Sequence, residues 1–127
     1  MDLFSELLDE TLVRIEGLEE DSEEVVFKTK SGKVGRLFHK QDCCEYVRLV
    51  DVCGDPFDLL LHPILLAEEV SNGDDPKGWK WEEHCNDSHT WTFYKLSTIA
   101  GSVTLRWLGE SNGYYSEGVT FEWDKEG

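Results

Sequence analysis

No stretch of this chain approaches the roughly 20 consecutive apolar residues that a membrane-spanning helix needs. Basic residues are also few, with 12 lysines and arginines against 27 aspartates and glutamates. The first shortage argues against a helical membrane protein. The second gives a formal net charge of −15, and a surface of that sign repels nucleic acid and anionic membranes. Direct nucleic-acid binding and membrane attachment are therefore set aside. Basic protein surfaces, including those whose own ligand is nucleic acid, would attract the chain. Plain solubility is the competing account of the same charge. The opening segment MDLFSELLDE lacks a basic stretch followed by an apolar one, so no signal peptide is expected. The expected compartment is the cytoplasm of the host cell. Thiols stay reduced there, which favours metal ligands or buried thiols over disulfides for the 4 cysteines.

Several chemical signatures are missing as well. There is no CxxC pair and no HxxxH helix motif, the stronger metal spacings. No lysine follows the glycines of SNGYYSEG, so that stretch is not a phosphate loop. The PCxxC pair of the zinc deaminases is also absent. A non-enzymatic role is therefore the expectation.

What is present reads as one folded unit over residues 1–127. A hydrophobic fraction of 39% and an aromatic fraction of 12% mark a globular chain with a modest core. Residues 2–9 carry Leu3, Phe4, Leu7 and Leu8 at helical spacing and predict a short amphipathic helix. The period then shortens towards two. Strands are predicted over 12–18, 25–30, 33–39, 44–53, 63–70, 89–98, 102–110 and 118–123, with one helical turn in GDPFDLLLHP. SGK at 31–33 and Ala100-Gly101 read as hairpin turns, and residues 71–87 as a long polar loop holding Trp79 and Trp81. Trp91, Phe93, Val103, Leu105, Trp107, Val119, Phe121 and Trp123 alternate and are expected on one core face. The fold class expected is α+β, a single domain dominated by an antiparallel sheet with one or two short helices.

Two clusters carry possible chemistry. His39, Cys43 and Cys44 flank a predicted turn, with Asp42 and Glu45 beside them; His84, Cys85 and His89 end the long loop. Zinc takes four ligands from thiolate, imidazole and carboxylate. A structural zinc held by His39, Cys43, Cys44 and Cys85 is one reading; buried core thiols and a reactive thiol are the others. Cys53 is expected in the core, sharing a strand face with Leu49 and Asp51. A second candidate surface is the acidic N-terminal quarter, where Glu19, Glu20, Glu23 and Glu24 fall in a predicted turn. Tyr114 and Tyr115 follow the hairpin signal Asn112-Gly113 and are expected to place one ring inward and one outward as a contact.

The segments HKQDCCEYV, ILLAEE, TWTFYKLST and GSVTLRWLGESNGYYSEGV resemble a family of small uncharacterised proteins carried by phages, prophages and mobile elements. The resemblance runs from about Lys33 to Val119 and includes His39, Cys43, Cys44 and Glu45, but not Cys53, Cys85 or the HCNDSH histidines. Size and acidity are similar to those of anti-CRISPR proteins. That resemblance implies an inhibitor that binds the effector nuclease of type II CRISPR systems and blocks target-DNA binding. Such a nuclease holds its heteroduplex in a positively charged channel. The alternative is a small enzyme or nucleotide-binding phage accessory protein built on the cysteine and histidine cluster.

Overall fold

The computed structural model describes residues 3–40, 45–72, 88–111 and 117–124. Eight strands are formed: β1 (Leu12–Glu16), β2 (Glu24–Thr29), β3 (Val34–Phe38), β4 (Tyr46–Cys53), β5 (Leu66–Asn72), β6 (Ser88–Thr98), β7 (Gly101–Ser111) and β8 (Thr120–Trp123). They build two four-stranded antiparallel sheets, ordered β1-β2-β3-β8 and β4-β7-β6-β5. The alternating apolar residues explain the strands, because a period of two buries one face of each ribbon. Between β2 and β3 the turn closes with Gly32 at φ 95°, as the glycine of SGK suggests. The turn joining β6 to β7 is Ile99-Ala100, one residue earlier than expected.

The expected helices are not α-helices. Among the described residues the helical elements are 3-10 turns, Leu3–Leu7 and Pro56–Leu59. In the first, the Leu8 amide reaches the Ser5 carbonyl at 3.1 Å, and Asp9 at φ 69° then ends the turn. Five residues are too short a segment to sustain an α-helix against its nucleation cost. Packing preserves the helical spacing in part: Phe4 and Leu7 are fully buried, whereas Leu3 and Leu8 are exposed. The fold is therefore β-dominated rather than α+β.

Both sheets contribute to one core. Phe4 sits at its centre, 4.6 Å from the ring of Tyr94, 5.6 Å from Phe121 and 6.3 Å from Phe27. Leu37, Leu49, Leu96, Val103, Leu105 and Trp107 surround these rings. Burying one such side chain contributes about 1.5–3 kcal/mol.

Two strand faces differ from expectation. In β6, Trp91 lies opposite Leu108 and Phe93 opposite Arg106, whereas Tyr94 lies opposite Leu105 and Leu96 opposite Val103. Directly opposed residues share a face. Tyr94 and Leu96 therefore enter the core, and Trp91 and Phe93 stand on the other face, stacked at 6.1 Å. In β4 the register slips between Leu49 and Asp51. This bulge turns Asp51 and Cys53 outward while Leu49 and Val52 face inward, so Cys53 is exposed rather than a core thiol.

Candidate functional site

Most of the candidate residues that the structure describes gather at one end of the two sheets. Glu24 at the start of β2 lies opposite Phe38 at the end of β3, and Phe38 lies opposite Thr120 at the start of β8. In the second sheet the same end is formed by Tyr46 opposite Glu110 and His89 opposite Glu110. An isolated bridge from Ser22 to Leu49 ties the two sheets together there.

Inside this end is a buried polar network. Glu117 accepts hydrogen bonds from the hydroxyls of Thr90 at 2.8 Å and Ser111 at 2.5 Å. Its backbone lies so close to β7 that a Cβ on Gly109 would stand 2.2 Å from the Glu117 carbonyl oxygen. Only glycine permits that approach. The next carbonyl, that of Gly118, accepts a hydrogen bond from His39 Nδ1 at 2.7 Å. The opposite ring nitrogen, Nε2, lies 3.2 Å from Glu45 Oε2, with side-chain exposures of 5% for His39 and 0% for Glu45. Among the described residues Nε2 has no hydrogen-bond partner that is aligned, so the contact with Glu45 is an ion-pair distance only. Among the described residues no set of three histidine, cysteine or carboxylate side chains converges as a metal group.

On the outer face of the second sheet, Arg48 forms a buried ion pair with Glu110 and stacks 4.4 Å above the Tyr46 ring. Burial pushes the Tyr46 hydroxyl pKa up, and the nearby carboxylates of Asp21 and Glu23 add to the rise against the opposing charge of Arg48.

The acidic segment forms a held turn at the same end. Gly17 at φ 85° and Asp21 at φ 66° bend it. Asp21 donates its amide to the Leu49 carbonyl at 2.8 Å, and Leu49 returns its own amide to Ser22 at 2.7 Å. Ser22 Oγ donates to the Glu24 carbonyl at 2.8 Å. Glu19, Glu20, Asp21 and Glu23 are exposed around these anchors. Glu24 differs from the sequence expectation, because it begins β2 and pairs with Arg36 at 3.1 Å.

Of the expected zinc ligands, His39 is described, while Cys43, Cys44 and Cys85 lie outside the described residues, as do Tyr114 and Tyr115. Glu117, Thr90, Ser111 and Glu110 were not singled out from sequence. Nothing in their spacing distinguishes them from ordinary strand-end polar residues.

Fold and site together define a two-sheet β-domain with a polar knot buried at one end and an acidic turn on the rim beside it. The chain belongs to the family described as a domain of unknown function, DUF7448, whose model matches residues 5–121. No curated protein and no solved structure matches it.

Proposed function

We propose that this domain works by binding rather than by turnover, presenting the acidic turn at Glu19, Glu20, Asp21 and Glu23 to a basic surface of a partner protein. The observation that carries this reading is the anchoring of the turn to the edge of β4 by two backbone hydrogen bonds. A loop held in this way spends little conformational entropy on docking. Its carboxylates stand where a nucleic acid would otherwise place phosphates. The partner class, the RNA-guided nuclease of type II systems, comes from the resemblance to anti-CRISPR proteins.

A titration of nuclease against target DNA at several salt concentrations tests it. Near-stoichiometric inhibition is expected, with guide RNA still bound. Charge reversal of Glu19, Glu20 and Glu23 to lysine should weaken inhibition at least about tenfold, mostly through slower association. Glu24 is left intact because it supports β2 through Arg36. Reversal at Glu68, exposed on the far edge strand β5, should change little. Sub-stoichiometric inactivation, or equal effects from both reversals, would sink the proposal.

A further inference from the structure

We infer that the end of the molecule opposite the acidic turn is a self-association surface whose occupant is a second copy of this chain. Four large apolar side chains stand exposed there: Phe57 at 78%, Leu61 at 71%, Leu65 at 61% and Ile99 at 81%. Hydrogen bonds stitch together the backbone that carries them. Thr98 Oγ1 donates to the Asp58 carbonyl, Leu65 donates its amide to the Ser97 carbonyl at 2.8 Å, and Leu61 donates its amide to the Leu12 carbonyl at 2.8 Å. The turn between Thr98 and Gly101 closes β6 and β7 at this end, whereas Ser88 and Ser111 pair at the other.

Backbone, charge and area each bear on the occupant. Leu61 sits at φ 66°, a left-handed conformation that suits glycine or asparagine and that leucine adopts only at a cost. Burial does not offset that cost, because the side chain faces solvent. The chain is 31% charged, yet LLLHPILLA at 59–67 and LSTIAGSVTL at 96–105 hold no Asp, Glu, Lys or Arg. Beside them, the Asp55 carboxylate turns back onto the Phe57 amide at 3.0 Å. A basic partner therefore finds little counter-charge in these segments, and an anionic membrane finds no lysine or arginine in them. A molecule of net charge −15 meets its own copy at least cost where its charge is thinnest. With on the order of 150–200 Å² per free side chain of this size, the four exposures amount to about 450–600 Å². A face-to-face pair then buries roughly 900–1,200 Å², at the lower end of specific interfaces. Such an area fits a reversible two-fold dimer with a Kd on the order of 10–100 μM. The two acidic turns lie at its opposite ends, so the inference is independent of what they bind.

Sedimentation velocity of the full chain, from about 5 to about 500 μM, tests this. The mass should climb from 14.6 kDa towards twice that value. Dimer should form more readily at about 0.5 M salt than at about 0.1 M, because screening relieves repulsion between the copies. The double variant Phe57→Gln, Ile99→Asn keeps the charge and should weaken the dimer at least about tenfold. Leu61→Asn should weaken it about threefold or more, yet melt no lower than the unaltered protein, since asparagine suits the left-handed backbone. Val70→Thr, at an exposed apolar position further along β5, should retain the dimer. Circular dichroism checks that each variant folds. Methyl ¹H–¹³C spectra of the unaltered protein need no variant, and dilution should shift the Leu61, Leu65 and Ile99 signals. A monomer throughout the range would hand the patch to a foreign partner or to this chain's own residues, and would overturn the inference. So would a dimer that salt dissociates, or one that the folded double variant leaves unchanged.

Discussion

Gly109 shows how one residue's smallness can hold a site together. Its missing Cβ is what lets the Glu117 backbone lie against β7, and the adjacent Gly118 carbonyl then meets His39. We predict that Gly109→Ala destabilises the fold by about 1–3 kcal/mol, the usual range for overpacking, because the obstructing atom is backbone and cannot rotate away. Urea denaturation measures this. A loss below about 0.5 kcal/mol would mean that the 117–118 segment shifts freely. Single residues also mark where reading the sequence stops. His39 was legible because a histidine beside cysteines attracts notice. Its contact with Glu45 required knowing that residues on either side of the 41–44 segment end up 3.2 Å apart.

At the level of elements, every strand was visible in the alternation, and the faces of two were not. In WTFYKL both parities are apolar, so alternation cannot say whether Trp91 and Phe93 or Tyr94 and Leu96 enter the core; the pairing with β7 decides. The β4 bulge is equally silent, since the residue it absorbs lies within an ordinary alternating run. Sheet order was out of reach for a related reason: β3 and β8 pair although most of the chain separates them. Their junction carries a testable ion pair. Arg36 holds Asp124 through two hydrogen bonds, at 2.6 and 2.8 Å, and this bonding keeps the Asp124 carboxyl below its ordinary value of 3.8. A depressed carboxylate contributes stability above its unfolded pKa and loses it as pH falls through the folded one. Asp124→Asn should therefore lower the urea midpoint at about pH 7, and the gap from the unaltered protein should close below about pH 3.8. A gap that persists unchanged into that acid range would assign the effect to packing.

For the whole molecule, a formal charge of −15 acts on folding and on association with opposite signs. Self-repulsion opposes compaction, and attraction to a basic partner assists encounter. Raising salt from about 0.01 M to about 1 M shortens the screening length from about 30 Å to about 3 Å. The melting temperature should rise by a few degrees over that range, while affinity for a basic protein surface falls. Thermal melts and binding curves in the same buffers check both. Parallel changes in the two would show that the charge governs neither.

The pairing of β3 with β8 also sets a timetable. The β1-β2-β3 meander is local and can form as soon as it leaves the ribosome, yet the free edge of β3 waits for a strand some eighty positions later. At about 5–20 residues per second, synthesis leaves that edge open for roughly 4–16 seconds. During that interval the nascent sheet offers unpaired amides and carbonyls to any neighbouring chain. Charged Lys28 on β2 and Arg36 on β3 are the kind of residue that discourages such pairing. Yield on rapid overexpression should then depend more on the speed of translation than on the final stability of the protein.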